Sequence, residues 1–305
     1  MTDEPRYPRL RLGTAPDSWG VWFADDPRQT RWSRYLDEAR AAGYRWTELG
    51  PFGYLPTDPS RLSDELAARD LTLTGGTVSA ALHRGPAALD AAKRACIEEA
   101  GTITPLGARH LVLLPEGYTD ADGGLDQPAE LTDDEWAALN DGMSELGRFV
   151  RDELGCELVV HSHADTHIAT PAEIERLFAG TDPDAVRFCL DTGHVAYCGG
   201  DPLEIIRSHP DRITYVHLKS VDPAVRGRVV AEGLDFGTAV KLGAMVEPER
   251  GEPAMPPVLE ALGALDRDIF CIVEQDLYPC PPDVPLPIAT RTFEYYAGQG
   301  LRTTT

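Results

Sequence analysis

Eight short apolar runs recur along the chain, and each is followed by a longer amphipathic stretch. The runs are RLRLGTA, RWTELG, LTLTGGTVS, RHLVLL, CELVVHSH, VRFCLD, ITYVHLKS and DIFCIVEQD. Segments such as TRWSRYLDEARAAG, DDEWAALNDGMSELGRFVRDELG and TPAEIERLFAG separate them and read as helices. Gly43, Gly107 and Gly155 stand where helices need a left-handed C-terminal residue, and Thr132–Glu135 and Thr170–Glu173 have capping-box spacing. A strand that is apolar throughout must be covered on both faces. When strands alternate with helices, the economical solution is a parallel sheet wrapped in helices. Eight such units in 305 residues predict an α/β fold of one domain, residues 1–305, a single closed (β/α)8 TIM barrel. An open doubly wound sheet would want a glycine-rich phosphate turn after its first strand, and GTAPDSWG does not match GxGxxG.

Two stretches exceed a plain connection. Residues 222–253 follow the seventh run and read as a lid or substrate loop on the catalytic face, with Arg226 as a candidate substrate contact. The proline-rich 278–287 follows the eighth run and reads as a stiff, ordered loop on the same face. The formal net charge is −22, with 50 acidic against 28 basic residues. Such a surface repels phosphate backbones and anionic lipid, which argues against nucleic-acid and membrane partners. MTDEPRYPRL lacks the apolar centre of a signal peptide, and no run is long enough to span a bilayer. Six cysteines without a CxxC pair read as free thiols rather than a disulfide frame or zinc cluster, so a cytoplasmic location is expected.

In a barrel, chemistry sits where strands end. Glu48 ends the second run, His161 and His163 the fifth, and Asp191 the sixth, with His194 just beyond. His217 and Lys219 lie on the seventh, Glu274 and Asp276 on the eighth. Asp191 belongs to an Asp-Thr-Gly, but aspartic proteases need two copies and this chain has one. Burying so many ionisable groups together is costly unless they pair or hold a metal. A His/Asp/Glu set without Cys suits Mn²⁺, Co²⁺, Mg²⁺ or Zn²⁺. His161, Asp191, His217 and Glu274 come from consecutive strands ~5 Å apart, so they can converge on one ion. His194 would then face the substrate or back the ligands.

APDSWGVW (15–22), ELGPFGYLPTD (48–58), HSHADT (161–166), LDTGHVAY (190–197), YVHLK (215–219) and VEQD (273–276) span nearly the whole chain. In order and spacing they resemble the xylose isomerase-like superfamily of sugar isomerases, epimerases and dehydratases, and more closely its inosose (2-keto-myo-inositol) dehydratases. The resemblance implies a metal site of which Asp191, His217 and Glu274 match three ligands. Where the superfamily usually has a strand-five Glu, this chain has His161, and the usual Asp after HLK is Ser220. Two-base epimerisation, which uses that Glu, is thereby disfavoured. The implied reaction is dehydration of a keto-cyclitol or keto-sugar through an enediolate, with a Mn²⁺ or Co²⁺ cofactor expected first and Mg²⁺ or Zn²⁺ as alternatives. Glu274, His163, His194 and Lys219 are the catalytic candidates, and Glu48, Trp19, His194 and Arg226 the substrate contacts. Trp22, Phe52 and Tyr54 could join Trp19 in an apolar wall, or simply close the barrel top. Sugar isomerisation or epimerisation, and β-elimination of a 3-keto-glycoside as in C-glycoside deglycosidases, are the alternatives. The expected partner is a small molecule, with a homo-oligomer compatible with all readings and a small partner subunit with the last.

Overall fold

The computed structural model describes residues 5–119 and 124–304. Its strands are β1 (Tyr7–Thr14), β2 (Trp46–Thr47), β3 in two pieces (Thr72–Leu73 and Gly75–Ala80), β4 (His110–Pro115), β5 (Glu157–His161), β6 (Val186–Asp191), β7 (Ile213–Leu218) and β8 (Ile269–Val273). They pair in parallel in the order β2-β1-β8-β7-β6-β5-β4. The first piece of β3 pairs with β2 and the second with β4. β3 thus completes the ring, and the Leu49 amide donating to the Gly75 carbonyl at 3.0 Å carries the joint upward. The barrel expected from the eight alternations is the fold observed. A two-residue strand, Leu301–Arg302, pairs with β1 as an addition.

Two apolar layers hold the barrel. Outside, leucines, valines and isoleucines of the strands meet the inner faces of the helices in one continuous core. Inside, Ala15, Val112, Val159, Cys189, Tyr215 and Ile272 fill the centre. Side chains alternate across a strand, so the next inward residues lie two positions further on. After Val159, Cys189, Tyr215 and Ile272 these are His161, Asp191, His217 and Glu274. The polar cluster is therefore the layer directly above an apolar one.

Helix starts follow the sequence signals. Thr132 and Thr170 each form a reciprocal capping box, heading Asp133–Leu154 and Pro171–Gly180. The 222–253 stretch departs from the expected loop. It folds into helices Pro223–Glu232 and Phe236–Lys241, capped by the carboxylates of Asp222 and Asp235, and a short antiparallel ladder between Ser220–Val221 and Met245–Val246. Asp222-Pro223 is a helix-start signal that the reading of the segment as a loop passed over. Within 278–287, the last helix, Pro285–Gln299, already begins at Pro285. No described helix is long and apolar enough to cross a membrane.

Candidate active site and metal centre

A cavity of about 770 Å³ opens at the C-terminal end of the barrel. Glu48, His161, His163, His217, Lys219 and Glu274 line it together with Asp17 and Asp276. His161, Asp191, His217 and Glu274 each offer a ligand atom within 4.8 Å of the others. Asp191 and His217 are direct neighbours in the β6–β7 register.

The residues between these elements explain the local geometry. β6 ends at Asp191 and turns at once into the short helix Thr192–Tyr197, whose first turn Asp191 caps through Oδ1, accepting the His194 amide at 2.7 Å. The other oxygen, Oδ2, is buried without a hydrogen-bond partner. A Cβ on Gly193 would lie 2.5 Å from Lys219 Cγ, so only glycine lets this turn settle on β7. One carboxylate thus serves as both helix cap and member of the cluster, which is why Asp and His stand three residues apart.

The cluster is assembled by its charges. His217 Nε2 lies 2.8 Å from Glu48 Oε1, and its Nδ1 lies 3.0 Å from Glu274 Oε2. With Nε2–H donating to Glu48, Nδ1 is the atom turned toward the cluster, the arrangement in which a carboxylate orients a histidine ligand. Lys219 Nζ sits 2.9 Å from Asp276, 3.1 Å from Glu274, 3.4 Å from Asp191 and 3.9 Å from Asp17. Burial opposes its charge, but these carboxylates outweigh burial and hold the ammonium well above the usual lysine range. Burial would raise Glu274, but His217 and Lys219 hold it well below the ordinary carboxylate range, and Lys219 and His161 lower Asp191 in the same way. Burial opposes the charge on His217, and Cys189, Glu274 and Glu48 together override it and raise that imidazole. Desolvation lowers His161 and His194 and pushes His163 down to about 4.

A hydrogen bond fixes the His163 tautomer. His163 Nδ1 lies 2.6 Å from the Ala164 carbonyl, so it must donate, and Nε2 keeps a lone pair. His194 Nδ1 faces the Ala164 amide at 3.2 Å, and its Nε2 faces the Lys219 ammonium at 3.2 Å. The two rings lie 3.8 Å apart, with Phe236 from the 222–253 segment covering both.

The donor set fits a divalent cation. Asp191 Oδ2 lies 3.4 Å from His161 Nε2 and 3.8 Å from His217 Nδ1, yet it makes no hydrogen bond, and His217 Nδ1 makes none either. Ligands ~2.1 Å from a common ion stand about 3.0–3.5 Å apart without pointing at one another; the 3.4 Å to His161 and the 3.0 Å between His217 Nδ1 and Glu274 Oε2 fall in that range, and the 3.8 Å lies just beyond it.

Other sequence candidates lie away from the cavity. Trp19 is fully buried, edge-on to Tyr35, and donates to Glu38; it faces the core and not the cavity. Arg226 turns its Nε to the Tyr197 carbonyl and does not line the cavity. Tyr54 spends its hydroxyl on the Thr30 carbonyl. His194 lies behind the wall, 3.2 Å from Lys219 Nζ. Of the wall candidates Trp22 and Phe52 do line the cavity, joined by Phe23 and Phe236. Asp17 and Glu99 were missed. Asp17 accepts Trp22 Nε1 through Oδ1, its Oδ2 is partnerless, and burial followed by Asp276 raises it well above the usual range. The APDSWGVW motif contained it, but no strand end pointed to it.

A match to the family described as xylose isomerase-like TIM barrel spans residues 36–289. Inosose dehydratase of Lacticaseibacillus casei is 32% identical over 295 residues, covering 94% of this chain and 96% of that protein. A protein of the same name from Clostridium perfringens (strain 13 / Type A) is 27% identical, covering 94% and 96%. Among solved structures, the IOLI protein with a binding zinc atom superimposes with a TM-score of 0.72 at 13% identity, covering 96% of this chain and 99% of that one. D-Psicose 3-epimerase from Clostridium cellulolyticum H10 does so with a TM-score of 0.69 at 13% identity, covering 96% and 100%. At such identities the structures speak for the shared fold alone.

Proposed function

The chain belongs to the xylose isomerase-like TIM barrel family, and on that premise we propose that it is a divalent-metal-dependent lyase removing water from a keto-cyclitol or keto-sugar, with 2-keto-myo-inositol the first substrate to test. The observation that carries the reading is the converging quartet of His161, Asp191, His217 and Glu274, in which Asp191 Oδ2 and His217 Nδ1 make no hydrogen bond. The relatives named inosose dehydratase support the substrate class.

The quartet would hold the metal, which when bound supplies Lewis-acid polarisation of the substrate carbonyl. Mn²⁺ or Co²⁺ remains the first choice by donor type. Every other part belongs to side chains. His163, neutral at pH 7 with Nε2 bare, accepts the proton α to the ketone. Asp17, kept un-ionised by burial, donates to the β-hydroxyl as the carbon–oxygen bond breaks. The C–H electrons become the new C=C bond, and one water departs. Lys219 stays charged and offsets the carboxylates around the reacting atoms. Glu48 orients His217 rather than touching substrate. Phe236 and the 222–253 helices cover His163 and serve as the lid that keeps water from the reacting carbon. At the cavity end of strand five stands His161, where a second base glutamate would be needed, which disfavours two-base epimerisation.

A 3-keto-glycoside is the second reading, favoured by one observation. A cyclitol fills on the order of 200 Å³, well below the cavity's 770 Å³, and the lining includes Trp22, Phe23 and Phe52. Incubation with keto-inositols, keto-sugars and 3-keto-glycosides plus Mn²⁺ or Co²⁺, read by mass, separates the outcomes. Loss of one water supports dehydration, release of an aglycone supports the second reading, and conversion at constant mass refutes both in favour of isomerisation.

A further inference from the structure

Glu99 is a buried carboxyl that the mechanism above does not use. It lies on the helix Pro86–Ile103 outside the barrel, yet it lines the active-site cavity. It reaches that position through a gap in the wall. A Cβ on Gly76 would fall 1.9 Å from Glu99 Oε1, so β3 has to carry glycine there for the carboxyl to enter. Oε1 accepts the Thr77 amide at 3.1 Å, and Oε2 makes no hydrogen bond among the described residues. Around the ring, β3 stands four strands from β7, so Glu99 approaches from the side opposite Asp191 and His217.

We propose that the Glu99 carboxyl is a specificity-determining group of this cavity, hydrogen-bonding one ring hydroxyl of the bound polyol on the wall opposite the metal-binding quartet. The proposal rests on the reading of the cavity as a polyol-ketone site. A cyclic polyol carries hydroxyls around its whole perimeter, and a cation that grips one edge leaves the far edge unread. The groups facing Glu99 are Glu48 from the end of β2 and Cys96 on its own helix, and neither brings positive charge. Burial therefore keeps the carboxyl protonated, pushed up to about 8. The acid form both donates and accepts, which suits a hydroxyl, and adds no charge that would repel or recruit an ion. A site built to bond a hydroxyl rejects the analogue lacking it more sharply than an apolar wall can.

The test is steady-state kinetics of the metal-loaded wild type, Glu99→Gln and Glu99→Leu on 2-keto-myo-inositol and its mono-deoxy analogues. Glu99→Leu is expected to raise KM for the parent ketone about threefold to tenfold, the worth of one neutral hydrogen bond, with kcat within about twofold. Glu99→Gln, which keeps a donor and an acceptor, should stay near wild type. For one deoxy isomer the wild type and Glu99→Leu should have the same KM, because the partner hydroxyl is already gone. Wild-type KM should climb above pH 8 while that of Glu99→Gln stays flat. If Glu99→Leu does not fold, the pH comparison and the deoxy series on the wild type and Glu99→Gln decide. Equal KM values for all three proteins on every substrate, with only thermal stability changed, would reduce Glu99 to a wall residue while leaving the dehydratase reading intact. Absence of turnover in the wild type would overturn both.

Discussion

Replacing Lys219 by Met removes a cation that faces Asp17, Asp191, Glu274 and Asp276, and the side chain is 2% exposed. Met preserves the stem volume, so the effect is electrostatic. Deleting one partner of a buried ion pair typically costs 3–5 kcal/mol, because the other charge stays buried and uncompensated. Here Asp191, Glu274 and Asp276 share the loss, and part of it is recovered as some take up protons. For a chain above 250 residues, ~2 °C of melting temperature per kcal/mol makes the expected fall about 6–10 °C in metal-free protein at pH 7. A divalent cation held by Asp191 and Glu274 replaces much of the missing positive charge, so saturating Mn²⁺ should recover roughly half of that fall. The same loss of repulsion should tighten metal binding while turnover drops. Differential scanning fluorimetry with chelator and with Mn²⁺, beside a metal titration, reads all three. A metal-free variant melting within about 1 °C of wild type would show that Lys219 does not hold the carboxylates together, and the charge account of the site would fall with it.

Glu48→Gln should weaken metal binding about 10–100-fold, the usual cost of losing a ligand's orienting carboxylate, measured by competition with a chelating dye, while the fold persists. Glu99→Gln should melt with the wild type at pH 4 and above it at pH 8. Folding raises this carboxyl from 4.5 to about 8, so its contribution is fully present below pH 4.5 and is lost as pH climbs to 8, by roughly 3 kcal/mol at pH 7; melting curves that stay superimposed refute this. Gly193→Ala should cost about 1–3 kcal/mol, seen as a lower denaturant midpoint, because its methyl would meet Lys219 Cγ at 2.5 Å. Asp191→Ala and Glu274→Ala should each reduce bound metal well below one equivalent per chain by elemental analysis, and full retention in both would remove the quartet assignment.

The alternation of strands and helices carried the barrel, because burying eight apolar strands beside eight amphipathic helices leaves few other packings. The period-two step carried the quartet as well: Val159-Val-His161, Cys189-Leu-Asp191, Tyr215-Val-His217 and Ile272-Val-Glu274 each place an apolar and then a polar residue on one inward face. Those are local facts, written in consecutive letters. Aromatic type alone did not reveal that Trp19 faces the core while Trp22, three residues later, faces the cavity, since a 3-10 turn at Pro16–Trp19 rotates the chain between them. Arg226 lay in the right segment, but that segment folds into helices, and the side chain turns to the Tyr197 carbonyl. Asp17 and Glu99 were invisible for a stronger reason. Glu99 is 51 positions from Glu48 and sits on a helix that should stay outside the barrel; only the missing Cβ of Gly76 admits it. Its protonation, like the charge on Lys219, depends on which groups tertiary folding brings within a few ångströms in a water-poor space. Sequence fixes which groups a strand turns inward; their mutual distances, and hence their charge states, exist only once the ring has closed.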